Sequence, residues 1–106
     1  ELYNRCALAV SESSDADMRV IAPQASDELL NITGVDASFV IYPSNNCMCI
    51  SARSLGAMNV QLVMEKLGGG GHQTMAATQL ADKSADEAKK MLLCAIDEYI
   101  SANQPV

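Results

Sequence analysis

Short apolar runs bounded by polar residues predict the β-strands of this chain. Such runs occupy residues 5–10, 36–42 and 47–52, and a shorter one occupies residues 78–81. Between the second and third runs lies Pro43-Ser44-Asn45-Asn46, a cluster of residue types that favour turns. The second and third strands are therefore predicted to form a β-hairpin.

Apolar residues spaced three and four positions apart predict three helices. The first pattern extends from Met18 to Leu29 and contains Pro23, which predicts either one bent helix or two short ones. The second extends from Val60 to Leu67, and the third from Ala88 to Tyr99.

Polar residues and glycine mark where these helices begin and end. The polar loop 11–17 can supply the first N-cap, and Asn59 can cap the second helix. Ser84 and Glu87 have the spacing of a capping box at the start of the third helix. Gly68 directly follows the second helical pattern, at the usual position of a left-handed C-cap.

Two segments have weaker patterns. Residues 73–77, Gln-Thr-Met-Ala-Ala, are predicted to form a single helical turn, and residues 101–106 are predicted to be frayed. Taken together, the strands and helices predict an α/β fold: a single compact domain with a mixed β-sheet and flanking helices. No internal repeat or second domain is visible.

Composition narrows the classes of partner. The chain has 106 residues, is 49% hydrophobic and has a net charge of −6, so duplex DNA, long RNA and anionic membranes are not expected partners. A small anionic ligand needs only a local site. No run of eighteen apolar residues or signal peptide occurs. The chain begins at Glu1 rather than methionine, which is typical of a piece of a longer protein.

The four cysteines are Cys6, Cys47, Cys49 and Cys94. Three of them, Cys6, Cys49 and Cys94, have apolar neighbours in sequence, which predicts buried, reduced thiols in a cytoplasmic protein. A zinc site is not expected, because Cys47 and Cys49 belong to a predicted strand and His72 is the only histidine.

The run Leu67-Gly-Gly-Gly-Gly-His72 holds four of the six glycines. Successive glycines can expose several backbone N–H groups to one anion, although such runs also occur as flexible linkers. The helix end accounts for Gly68, which leaves Gly69, Gly70, Gly71 and His72 as candidate phosphate-binding residues. The run matches neither a P-loop nor a Rossmann fingerprint.

Two further side chains could assist such a site. Ser51 and Arg53 are two residues apart in a predicted strand and so share a face. A guanidinium can bind two phosphate oxygens at once, and an imidazole adds one or two donors. The alternatives are an ordinary surface charge for Arg53 and a structural role for His72. No Ser–His–Asp, Cys–His or metal-binding set can be assigned.

The segment 50–80 resembles the DHH-associated C-terminal domain of the DHH phosphoesterases, a family of exonucleases, oligoribonucleases and cyclic-dinucleotide phosphodiesterases. The resemblance rests on Ile50-Ser-Ala-Arg-Ser-Leu-Gly56, on Gly68-Gly-Gly-Gly-His72 and on Ala76-Ala-Thr-Gln-Leu80. It is strongest with the GdpP-type enzymes that hydrolyse cyclic di-AMP. Many other branches have glycine where this chain has Thr78.

The resemblance implies a substrate-binding domain over residues 1–106, in which Gly69, Gly70, Gly71 and His72 bind a phosphate and Arg53 and Ser51 grip the nucleotide. It also implies that manganese is held by a separate DHH domain that contacts this one in cis, so this chain alone would be inactive. The ligand would be a cyclic dinucleotide or a short oligonucleotide. The chain would be a cytoplasmic part of a bacterial membrane protein and would not itself contact the membrane.

Two alternatives stay open. The parent could be an exonuclease or oligoribonuclease. The chain could instead be a structural or homodimerising module, in which the edge of the hairpin 36–52 pairs with a second copy.

Overall fold

A six-stranded mixed sheet forms the framework of the protein. The structure is a computed structural model that describes residues 1–12 and 17–103. Its elements, in chain order, are β1 (Leu2–Tyr3), β2 (Cys6–Val10), α1 (Met18–Leu29), β3 (Ala37–Ser44), β4 (Cys47–Ser54), α2 (Val60–Glu65), β5 (Gly70–His72), β6 (Met75–Ala81) and α3 (Ala85–Ala102). The strand order is β1-β2-β3-β4-β6-β5. Among the described strands, only β2 and β3 pair in parallel. The predicted α/β class is confirmed.

Helices cover both faces of the central strands. On one face the largest buried side chains pack under α2 and α3, among them Phe39, Ile41, Ile50, Met64 and Leu92. On the other face a smaller cluster lies under α1: Met18, Ala22, Val40, Tyr42 and Cys49. Because residues alternate between the faces of a strand, a strand covered on both sides reads as a continuous apolar run. The helices on both faces of β3 therefore account for the apolar run from which this strand was predicted.

The predicted starts of α2 and α3 are confirmed, whereas α2 ends at Glu65 rather than at Leu67. Asn59 Oδ1 accepts a hydrogen bond from the N–H of Leu62 at 3.3 Å. Ser84 and Glu87 form the reciprocal bonds of a capping box. Helix α1 is one continuous helix across Pro23, with Asp17 at its N-cap. Residues 13–16 of the predicted capping loop lie outside the described residues.

The prediction of a helical turn at residues 73–77 is wrong. Strand β6 begins at Met75 and pairs with β4 from Arg53–Met75 to Cys47–Ala81. Alanine at two successive positions favours helix locally, but the ladder with β4 overrides this preference. Strand β5 was not predicted, because glycine and histidine give no strand signal. The predicted fraying is wrong at residues 101 and 102, which belong to α3, and residues 104–106 lie outside the described part.

The hairpin of β3 and β4 lies in the middle of the sheet. Strand β3 pairs with β2 as well as β4, and β4 pairs with β6. Its two-residue turn has Asn45 and Asn46 at φ 50° and 63°, the backbone form that suits a tight hairpin. The hairpin therefore has no free edge for a second copy, which corrects the dimerisation mode considered above. Within the described residues, no helix is long and apolar enough to cross a membrane.

Candidate functional site

The glycine run leaves α2 through a left-handed turn. Gly68 has φ +82°. Its N–H donates to the carbonyl of Glu65 at 3.1 Å, and the N–H of Gly69 donates to the carbonyl of Met64 at 2.8 Å. These are the two hydrogen bonds that close a Schellman motif. The prediction that Gly68 ends the helix is confirmed.

Two more glycines are required by close packing against β6. A Cβ placed on Gly69 would lie 2.2 Å from the carbonyl oxygen of Ala77 and 2.5 Å from Cβ of Thr78. A Cβ on Gly71 would lie 2.5 Å from the carbonyl oxygen of Met75, and Gly71 has φ +145°. Neither clash can be relieved by a flexible side chain, because both involve the backbone of the neighbouring strand. The fold itself thus explains Gly69 and Gly71.

Gly70 is different. A Cβ on Gly70 would meet no atom within 4 Å, and its φ is not in the left-handed region. From the sequence, the fold explained only Gly68, as the end of a helix. In the structure, the fold also explains Gly69 and Gly71. Gly70 is the one residue of the run whose lack of a side chain the described residues do not explain.

The run is an ordered edge strand rather than a flexible linker, which corrects that alternative. Gly70, Gly71 and His72 pair with Ala77, Ala76 and Met75 of β6. Strand β5 lies at the end of the strand order, so its second edge has no strand beside it among the described residues. Backbone N–H groups along an edge strand alternate between the ladder and the outside. Some N–H groups of the run therefore face outwards.

The register brings four of the six predicted site residues onto one face of the sheet. Ser51 pairs with Ala77, which pairs with Gly70. In the adjacent row, Arg53 pairs with Met75, which pairs with His72. Strands are about 4.8 Å apart, so the backbones of Arg53 and His72 are separated by about 10 Å. The predicted shared face of Ser51 and Arg53 is confirmed, and Gly70 and His72 lie on the same face.

Arg53 is partly enclosed between the sheet and α1. Its side chain is 19% exposed, and one terminal nitrogen lies 3.4 Å from a carboxylate oxygen of Asp27 on α1. Its Nε is buried and has no hydrogen-bond partner among the described residues. A buried N–H without a partner is costly. Arg53 is therefore not an ordinary surface charge, and its guanidinium retains donor capacity at the margin of α1.

Ser51 lies deeper under α1. It is 7% exposed, and its carbonyl accepts a hydrogen bond from the hydroxyl of Ser26 at 3.3 Å. The hydroxyl of Ser38 donates to the carbonyl of Ser26 at 2.6 Å. These small side chains let α1 approach the sheet closely. Ser51 thus lies beside Arg53, but α1 covers most of it.

The same face of the sheet is open over β6 and β5. Met75, Ala77, Gln79 and Ala81 alternate with buried residues along β6 and are exposed, with Met75 46% exposed. His72 is exposed, and its imidazole has no hydrogen-bond or ion-pair partner in the described ranges. A cavity of about 420 Å³ adjoins the run and is lined by Gly68, Gly69, Ala77, Thr78 and Gln79. The exposed β6 residues were not among the predicted site residues. Met75 and Ala77 fall in the segment 73–77 that was predicted to be helical, whereas Gln79 falls in the predicted strand 78–81.

The cysteines are all free thiols. Cys6 and Cys49 are buried as predicted, whereas Cys94 is exposed, because it lies on the face of α3 turned away from the sheet. Burial raises the pKa of Cys6 to about 11. In residues 1–12 and 17–103, no three His, Cys, Asp or Glu side chains converge as a metal site requires.

Comparison with known proteins agrees with this fold. The sequence model of the DHHA1 domain matches residues 5–102. The cyclic-di-AMP phosphodiesterase PdeA of Listeria monocytogenes is 52% identical over 93% of this chain. The cyclic-di-AMP phosphodiesterase GdpP of Geobacillus thermodenitrificans is 46% identical over 94% of it.

Both relatives are much longer, and this chain spans only 15% of each. Among solved structures, the pGpG-specific phosphodiesterase PggH from Vibrio cholerae superposes with a TM-score of 0.63 at 17% identity. That match covers 93% of this chain and 35% of the solved one, and it shows a common fold. The chain belongs to the DHHA1 domain family, and its relatives at 46–52% identity are the cyclic-di-AMP phosphodiesterases GdpP and PdeA.

Proposed function

We propose that this chain is the substrate-binding domain of a cyclic di-AMP phosphodiesterase and that its glycine-rich strand holds a phosphate of the dinucleotide. The names of the two relatives support the substrate class. Since the chain spans 15% of their length, hydrolysis is a property of the whole protein. This domain contributes recognition, and a separate DHH domain contributes the manganese.

The observation that carries the proposal is the clearance at Gly70. Glycine in a strand interior costs roughly 0.5–1 kcal/mol relative to alanine. Nothing in the described fold requires that cost at Gly70, because a Cβ there would enter open space. The open space lies on the sheet face that also carries Arg53 and His72. A ligand that approaches the main chain closely explains why glycine occupies position 70.

The surrounding groups suit an anion. Outward-facing N–H groups of the edge strand donate hydrogen bonds without side-chain obstruction. His72 supplies one donor when neutral and two when protonated. Arg53 can bind two phosphate oxygens, and its position near Asp27 orients the guanidinium. The domain is acidic overall, so this local cluster rather than the net charge must attract the phosphate.

The first prediction separates binding from folding at neighbouring glycines. Gly70→Ala is expected to leave the thermal midpoint unchanged or slightly raised and to weaken cyclic di-AMP binding at least tenfold, because the added methyl group occupies the space of the phosphate. Gly69→Ala is expected to destabilise the fold by about 1–3 kcal/mol, because its Cβ overlaps the backbone of β6. NMR titration of the chain measures binding, and thermal unfolding measures stability.

Two further alanine variants complete this experiment. His72→Ala is expected to weaken binding, whereas Lys83→Ala, which removes an exposed cation in the turn after β6, leaves it unchanged. Wild-type affinity is expected in the micromolar to millimolar range, because the second half of the cleft belongs to another domain. The proposal is overturned if the wild-type chain shows no shifts with cyclic di-AMP, or if Gly70→Ala binds like wild type.

A linear dinucleotide is the second candidate ligand. The solved protein of the same fold is named as specific for pGpG, which is linear. Titration with pApA beside cyclic di-AMP distinguishes the two, because tighter binding of the linear form would assign the domain to an exonuclease or an oligoribonuclease.

A further inference from the structure

The cavity beside the glycine run has an unusual lining. Gly68, Gly69 and Ala77 present almost no side chain to it. The hydroxyl of Thr78 is already engaged, because it donates to the carbonyl of Leu67 at 2.9 Å. Gln79 is exposed, and its amide has no partner among the described residues. Gln79 is therefore the one lining residue with both a free side-chain donor and a free side-chain acceptor.

The position of Gln79 relates the cavity to the proposed phosphate site. Ala77 pairs with Gly70, and Gln79 is two residues further along β6 on the same face. Two residues of strand correspond to about 7 Å. A base attached to the ribose of a phosphate held at Gly70 can span that distance.

We propose that Gln79 reads the base of the bound nucleotide and selects adenine over guanine. This inference rests on the proposed function, because it assumes that a nucleotide phosphate lies at Gly70. It goes beyond that proposal by naming the side chain that discriminates between bases. The solved protein that is named as specific for pGpG has the same fold. The fold alone therefore cannot select adenine over guanine, and individual side chains must do so.

The chemistry of the amide favours adenine. A glutamine carbonyl accepts from the exocyclic N6 amino group, and its NH2 donates to N7. Guanine presents acceptors at both O6 and N7. The carbonyl of Gln79 would face O6 with no proton between the two oxygens, so the pair would lose one hydrogen bond and gain a repulsion. The exposed row of Ala77 and Met75 beside it leaves a flat apolar surface for the ring.

The test compares cyclic di-AMP with cyclic di-GMP, which carry the same charge. Wild type is expected to prefer the adenine ligand by about tenfold or more. Gln79→Ala is expected to remove most of that preference, and Gln79→Arg to reverse it, because a guanidinium donates to both O6 and N7 of guanine. NMR titration of the chain with each ligand gives the ratio of the two dissociation constants.

Gln73→Arg is the matched control. Gln73 is an exposed glutamine in the turn between β5 and β6, so this variant adds the same charge without facing the cavity. It is expected to change both affinities by the same factor and to leave their ratio at the wild-type value.

Two results would overturn the inference. They are an unchanged base preference in Gln79→Ala and Gln79→Arg, and an equal change of preference in Gln73→Arg. Either result leaves the proposed phosphate site standing if Gly70→Ala still weakens binding at least tenfold. Absence of binding by wild type would instead reject the proposed function itself.

Discussion

At the scale of single residues, Thr78 shows how one side chain can adapt the site to this chain. Its hydroxyl donates to the carbonyl of Leu67 and so ties the end of α2 to β6. Its Cβ also occupies the space that a side chain at Gly69 would need. Thr78 therefore has a structural role beneath the glycine run.

The cysteines give a residue-scale prediction. A thiol reacts through its thiolate, and a pKa of about 11 leaves roughly one Cys6 thiol in a thousand ionised at pH 8. Cys94 is exposed and Cys47 is half-buried. With a thiol-reactive chromogenic disulfide at pH 8, we expect Cys94 to react first, Cys47 more slowly, and Cys6 and Cys49 only after unfolding.

The variant Cys94→Ser tests that order. It is expected to lose the fast phase of modification and to retain the slow one. A fast phase of two equivalents in this variant would contradict the burial of Cys6 and Cys49.

The positions of individual side chains were predictable where the spacing of residues along the chain alone determines which face they share. The two-residue separation of Ser51 and Arg53 was enough to place them on one face. Their burial was not predictable, because it depends on where α1 packs. The requirement for glycine at positions 69 and 71 was also not predictable from the sequence. It arises from close contact with the backbone of β6, and the start of that strand was not predicted.

At the scale of elements, the capping box of α3 makes its stability depend on pH. The backbone N–H of Ser84 donates to the carboxylate of Glu87, which lowers the pKa of Glu87 below its ordinary value of 4.5. A lowered pKa in the folded state means that the contribution is present above the unfolded pKa and is lost as the pH falls through the folded pKa.

We therefore expect Glu87→Gln to reduce the loss of stability as the pH falls below about 5. Glutamine keeps the hydrogen bond of the capping box but does not titrate. Urea unfolding at a series of pH values measures the effect. Glu28→Gln, which removes an exposed carboxylate from the last turn of α1, is the control. An equally steep acid limb in Glu87→Gln and wild type would contradict the assignment.

Elements with strong local signals were predictable, and those formed by pairing were not. Asn59, Gly68 and the capping box mark their helices through short-range hydrogen bonds that any chain can form locally. Strand β5 consists of glycine and histidine and exists because β6 lies beside it. The first half of β6 has no alternation of polarity, so its periodicity could not be distinguished from that of a helix.

At the scale of the whole molecule, the proposed assignment of substrate binding to this domain and of hydrolysis to another domain can be tested. We expect this chain alone, supplied with manganese and cyclic di-AMP, to show no hydrolysis, because the described residues contain no convergent set of metal ligands. Chromatographic detection of pApA after long incubation measures it. Turnover that persists through purification and is lost in His72→Ala would refute the assignment of catalysis to another domain.

The two-residue turn at Asn45 and Asn46 has a consequence for how the chain folds. It joins β3 and β4 with almost no loop to close, so the centre of the sheet can form early. Strands β6 and β5 then add to an existing edge, and the glycine run is the outermost strand on that side. Substitutions in the run should therefore change the rate of unfolding more than the rate of folding. Substitutions at Gly70 and His72 can thus alter ligand recognition without altering the part of the sheet that forms first.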